Sequence, residues 1–335
     1  MRTSFLRLAP SQIAAALTGV GVVVGATMGT SAQDTKTIRV SEKGITGIEG
    51  PAVDADGNLY FVSRNGLKDG KIRQLKPGAK KSELYAPLTD GRLGNGIRFD
   101  KGGRMYVADF KGHNVLVFEK GQKRDNVYFT TNTLPPSATK FTQPNDLAIG
   151  NDGTIYASDP AFGSGTGRIW RITRTPGGAG NGEVMTSNRK DGKMGVTNGL
   201  DVSPDGKTLY VGESTTGQIW AYRIDGNKLT AGEPPAPLAT LSGGQLDGLR
   251  TDTSGQIYVT HNGGKKITVL TPQGATVREI ATLGSGPSNL TFGGPDGKTL
   301  FVTQTDGGFV ESFTVDTPGR EPCPQQKSAT VCSAP

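Results

Sequence analysis

Six stretches of this chain repeat one pattern, and that repetition limits the fold more than any other feature. They read EGPAVDADGNLYFVS from Glu49 to Ser63, NGIRFDKGGRMYVAD from Asn95 to Asp109 and NDLAIGNDGTIYASD from Asn145 to Asp159. The others are NGLDVSPDGKTLYVGE from Asn198 to Glu213, DGLRTDTSGQIYVTH from Asp247 to His261 and SNLTFGGPDGKTLFVTQ from Ser288 to Gln304. Each joins two runs with period-two apolar spacing, rich in Val, Ile, Tyr and Phe, which is strand chemistry. The Asp-Gly, Gly-Gly or Ser-Gly between the runs supplies the positive φ of a tight hairpin. The repeats start 46, 50, 53, 49 and 41 residues apart. Two further strands fit between successive hairpins, as at Asn114 to Glu119 and Gln218 to Arg223. A period near fifty with four strands per unit describes a propeller blade.

The chain is therefore expected to be all-β, a six-bladed β-propeller of four-stranded blades around a central channel, spanning residues 33–315. The last blade takes a third strand from Gly308 to Val315, and Lys36 to Val40 is free to complete it and remove the open edge. Gly at 50 and Pro at 20 of 335 residues are high, but Gly shows no third-position period, so collagen is excluded.

Residues 1–32 read as a secretory signal: Arg2 and Arg7 precede an apolar segment from Ile13 to Ala26, and Thr30-Ser31-Ala32 offers small residues for cleavage. The mature chain is expected in the periplasm or secreted, with no membrane association after cleavage. Residues 316–335 form a proline-rich tail with the only two cysteines, Cys323 and Cys332, whose spacing suits a small disulfide in an oxidising compartment; two free thiols are the alternative. The net charge of +7 is dispersed, with no run of five like charges and no basic stripe with interleaved aromatics, which argues against a nucleic-acid partner. Propellers function as monomers, and a monomer is expected here.

In a propeller the first strand of each blade runs beside the axis, so equivalent residues form a ring. The first repeat position holds Glu49, Asn95, Asn145, Asn198, Asp247 and Ser288, all oxygen donors. Converging carboxylates and amides without His or Cys are hard-ligand chemistry, suited first to Ca²⁺ and then to Mg²⁺ or Mn²⁺. Asn and Asp also start strands through local hydrogen bonds, and that alternative stands for each position singly. The second strands close at Asp109, Asp159, Glu213 and His261, which are expected to return to the same face as substrate-orienting groups or as loop hydrogen-bonders. His113 is expected at the surface.

From Glu49 to Gln304 the sequence resembles the SMP-30/gluconolactonase (regucalcin-like) family of six-bladed propellers, its bacterial gluconolactonase branch in particular. The resemblance rests on Glu49-Gly50-Pro51, on Thr197-Asn198-Gly199-Leu200 with Ser203-Pro204-Asp205-Gly206, and on Asp247-Gly248-Leu249. Its most specific part is the run from Phe141 to Leu147 followed by that from Asp152 to Pro160. It implies a divalent cation, Ca²⁺ first with Zn²⁺ also open, on Glu49, Asn145, Asn198 and Asp247. Asn95 and Ser288 then become substrate-side or structural residues. It implies a small-molecule lactone or ester substrate and hydrolysis of sugar lactones, with Asp247 as the candidate base. An arginine that some members use for substrate is not evident before Asn145, where Lys140 and Gln143 stand. No G-x-S-x-G motif is present, and two histidines leave little for a catalytic triad. Two alternatives remain: a phosphotriesterase similar to diisopropylfluorophosphatase, with Asp247 as nucleophile, and a non-catalytic propeller that binds a ligand or protein.

Overall fold

Period-two patterning turns into strands throughout the described residues, and each hairpin recruits the strands that complete its sheet. The computed structural model describes residues 37–321, apart from Glu233 and the side chain of Asp191. The expected signal over 1–32 and the cysteines Cys323 and Cys332 lie outside the described residues. Six sheets succeed one another as six blades, antiparallel except where Thr186–Ser187 pairs parallel with Lys228–Thr230. Their innermost strands are Glu49–Val53, Gly94–Phe99, Leu147–Ile149, Thr197–Val202, Gln245–Thr251 and Pro287–Gly293. Blade four carries two additional short strands, Thr186–Ser187 and Ala239–Thr240. Blade six is closed as expected from the sequence: Ile38–Arg39 pairs with Phe309–Thr314, Ile38 opposite Ser312. Among the described residues no helix is long and apolar enough to cross a membrane.

Apolar side chains fill the spaces between neighbouring blades. Tyr106, Val117 and Tyr128 of blade two pack with Ile155, Trp170 and Ile172 of blade three in one such layer. Phe141, on the connection between them, sets its ring 4.6 Å from that of Trp170. Each layer belongs to two blades at once, so a blade cannot keep its core without its neighbour.

At the axis the packing is ionic. Arg98 and Arg250 stand three residues beyond Asn95 and Asp247 on their strands and converge on Asp146. Arg250 holds the carboxylate in bidentate fashion, Nη1 to Oδ2 at 2.9 Å and Nη2 to Oδ1 at 3.0 Å. It also donates to the Leu200 carbonyl of blade four at 3.2 Å and to Asn289 Oδ1 of blade six at 3.2 Å. Arg98 of blade two donates to the Pro51 carbonyl of blade one at 3.2 Å and to Asp146 of blade three at 3.1 Å. Two guanidiniums thus join all six blades.

Their second counter-charge comes from beyond residue 315. Glu321 Oε1 lies 3.1 Å from Arg98 Nε and 3.0 Å from Arg250 Nε, while its Oε2 accepts from Thr291 Oγ1 at 2.8 Å. Arg320 pairs with Asp201 at 2.6 Å, and its backbone N–H donates to the Thr251 carbonyl at 3.0 Å. Residues 318–321 therefore belong to the propeller rather than to a separate tail, a boundary the proline content of the segment concealed. Burial raises the Glu321 carboxyl, and the Arg98 guanidinium opposes that rise. Breaking a buried ion pair from one side typically costs about 3–5 kcal/mol. Glu321→Gln is expected to lower Tm by about 6 °C or more in calorimetry, against no change for the surface control Asp225→Asn.

Candidate functional site

The inner strands begin irregularly. The strand register shifts between Glu49 and Ala52, between Gly94 and Ile97, between Thr197 and Leu200, and between Leu246 and Leu249. A bulge re-aims the residue it contains, and here it contains Asn95, Asn198 and Asp247, with Glu49 at its edge. The glycine that follows each of these lets the next blade approach. A Cβ on Gly50, which has φ 55°, would stand 1.9 Å from the Asn95 carbonyl oxygen, and one on Gly199 would stand 2.2 Å from that of Asp247. The Glu-Gly, Asn-Gly and Asp-Gly pairs therefore hold the ring tight, and no larger residue fits behind the donors.

Five of the six ring residues, Glu49, Asn95, Asn145, Asn198 and Asp247, line one cavity of about 280 Å³. Ser288 does not: its hydroxyl is fully buried, shares a 2.9 Å hydrogen bond with Thr303 Oγ1 and hydrogen-bonds the Glu49 carboxylate from behind the ring. Asn198 Nδ2 donates to Ser214 Oγ at 3.0 Å, which fixes the amide. The Oδ1 atoms of Asn95 and Asn198 are buried without a hydrogen-bond partner. Asp247 Oδ2 accepts from Asn262 Nδ2 at 2.9 Å, and Glu49 Oε2 accepts from the Gly50 N–H at 3.0 Å.

The electrostatics are unbalanced. Burial raises the Asp247 carboxyl well above the usual aspartate range, and the Glu49 charge raises it further. Burial also raises Glu49, opposed chiefly by the Arg64 guanidinium. Two converging carboxylates and two unpartnered amide oxygens fit a hard dication, which would answer all four at once. Asn95, expected on the substrate side, presents its oxygen as Asn198 does.

Of the two roles open to Asp109, Asp159, Glu213 and His261, the structure shows the hydrogen-bonding one: none of the four lines the cavity. Asp109 Oδ1 accepts from the N–H groups of Leu93 and Gly112, each at 3.0 Å. Asp159 accepts from Thr142 N–H at 2.9 Å and Gln143 N–H at 2.7 Å, and Glu213 from Gly195 N–H at 2.8 Å. His261 Nε2 meets Thr268 Oγ1 at 2.9 Å, and burial pushes its pKa down to about 4, so the ring is neutral at neutral pH. The reason is strand parity: side chains alternate, so the following residue faces the axis. Arg64, Phe110 and Ser214 accordingly line the cavity, and Asn262 touches Asp247.

Gln143 also reaches the cavity, whereas Lys140 is turned away with its Nζ on the Thr131 carbonyl at 2.9 Å. The arginine at the site is Arg64. It follows the first repeat by one residue, and counting that parity would have found it.

A six-bladed propeller carrying a ring of hard oxygen donors at its axial mouth defines the class of protein. The SMP-30/Gluconolactonase/LRE-like family model matches residues 48–306, and the chain belongs to that family. Diisopropyl-fluorophosphatase of Loligo vulgaris is 28% identical over 298 residues, covering 80% of this chain and 89% of the squid protein. Gluconolactonase of Zymomonas mobilis is 25% identical over 295 residues, covering 79% and 78%. A solved gluconolactonase from Xanthomonas campestris superposes with a TM-score of 0.68 at 20% identity, covering 85% of this chain and 91% of its own.

The site predicts a paired outcome. In metal-free protein Asp247→Asn is expected to raise Tm, because it removes one of two buried like charges. In the wild type, Ca²⁺ at a hundredfold excess over Kd should add about 2.7 kcal/mol of stability. In Asp247→Asn most of that gain should be missing, as read by differential scanning calorimetry with and without chelator.

Proposed function

We propose that this protein is a divalent-cation-dependent hydrolase that opens sugar lactones, with Ca²⁺ as the first candidate cation. One observation carries the reading: the buried carboxylates of Glu49 and Asp247 converge with unpartnered amide oxygens in a cavity open to small molecules. Membership of the family, and relatives named gluconolactonase and sugar lactone lactonase, supply the substrate class. The reading includes a mature chain in the periplasm or secreted.

Glu49, Asn145, Asn198 and Asp247 would hold the cation, with Asn95 able to join them. A bound dication supplies Lewis acidity toward a carbonyl oxygen. The chain's own residues do the rest. Asn262 holds Asp247 Oδ2, which leaves Oδ1 to take a proton from water as that water attacks the lactone carbonyl carbon. The ring C–O bond then breaks, and the proton passes to the departing alkoxide, giving the open hydroxy acid. Phe110 and Phe162 flank the cavity and present apolar surface to the substrate.

The squid relative favours a second reading, hydrolysis of phosphofluoridates with Asp247 as nucleophile. Acid release from δ-gluconolactone, measured against the spontaneous rate, separates the two. Chelator-stripped protein should regain turnover on adding a dication, and Asp247→Asn should lose about 10²–10⁴-fold. Cleavage of diisopropyl fluorophosphate without lactone turnover would select the second reading. Cation binding without either reaction would leave a ligand-binding propeller.

A further inference from the structure

Arg64 is the one cationic side chain on the wall of the axial cavity. It is half-buried, and its guanidinium carbon lies 5.1 Å from the centre of the Phe110 ring. Its Nε reaches the Gly47 carbonyl at a long 3.4 Å. Among the described residues it has no carboxylate in ion-pair contact, in contrast to Arg92, Arg98, Arg189 and Arg250, each of which has at least one. Glu49 feels its charge without touching it.

The charge balance of the mouth follows. A dication would neutralise Glu49 and Asp247, which leaves Arg64 as the uncompensated charge over the cavity. Arg64 also borders a second hollow of about 270 Å³ lined by Lys43, Lys71 and Arg73. Within that hollow Arg73 is paired with Glu42 at 3.1 Å and Lys71 with Asp69 at 3.3 Å, while Lys43 lies over the Phe309 ring. A stacked guanidinium keeps its N–H edge free, and that edge matches the geometry of a carboxylate, sulfonate or phosphate.

We propose that Arg64 is a specificity-determining residue that selects lactones or esters bearing an anionic substituent, whose charge it receives at the cavity wall. The proposal takes its reaction from the lactone-hydrolase reading, but recognition of the anion does not depend on turnover.

A matched pair tests it: D-glucaro-1,4-lactone, which carries a free carboxylate, against D-glucono-1,4-lactone, which carries a neutral hydroxymethyl group there. The ratio of kcat/KM for the charged over the neutral lactone is expected to favour the charged one in the wild type. It should fall about tenfold in Arg64→Gln and be partly restored in Arg64→Lys, because a point charge replaces the fork without its bidentate fit. The preference should also shrink as salt rises from about 0.01 M to about 0.15 M, over which the screening length drops from about 30 Å to about 8 Å. Calorimetric titration of the Ca²⁺-loaded protein with glucarate and gluconate reads the same preference without catalysis. If neither lactone is turned over, the hydrolase reading fails, and the titration alone still decides the role of Arg64. Equal losses for both ligands in Arg64→Gln, or no wild-type preference in either assay, would overturn the proposal.

Discussion

Two arginines hold the wheel together. Arg98 and Arg250 sit on the inner strands of blades two and five, yet their donors reach carbonyls or side chains of the other four. Propeller blades otherwise meet only their neighbours, through apolar layers such as the one around Trp170. The axial ion network adds direct coupling across the ring. It also explains why Asp146 stands where the neighbouring blades have glycine: a Cβ on Gly96 would meet the Asp146 carboxylate at 2.5 Å. The ring closes around a charge, and the glycines make room for it.

That network sits directly beneath the oxygen donors and shares their strands. Asn145 adjoins Asp146, while Asn95 and Asp247 are each three residues from an axial arginine. The same inner segments therefore present ligands at the mouth and anchor deeper down. The upper layer is electrically tense: burial raises both carboxylates, and the Glu49 charge raises Asp247 further. The lower layer is paired. A rigid floor permits an unsatisfied mouth, which is the arrangement a binding site requires.

The fold was legible because its signal repeats. Six hairpins at blade spacing define the architecture, and the N-terminal strand follows from the need to close blade six. Five of the six ring residues were also legible, since symmetry forces equivalent positions to one depth. Ser288 stays behind the cavity wall because its short hydroxyl is held between Thr303 and the Glu49 carboxylate. For the strand-end residues Asp109, Asp159, Glu213 and His261 the sequence left two roles open, and a single step of the pleat, which exchanges the axial face for the loop beneath it, decides for the hydrogen-bonding one. Arg64 was hidden by the same step. Glu321 could not be seen at all, because its partners lie 223 and 71 positions earlier in the chain and no local pattern records an ion pair.

The closure of blade six links residues far apart in time as well as in sequence. The Val310 N–H bonds to Ser41 Oγ across 269 positions, and Glu321 completes the hub later still. At about 5–20 residues per second of synthesis, the first strand waits roughly a quarter of a minute to a minute for its partner. Throughout that interval the nascent ring has an open seam with bare strand edges. Chaperones, or a second emerging chain, have that long to reach the edge before Phe309–Thr314 seals it.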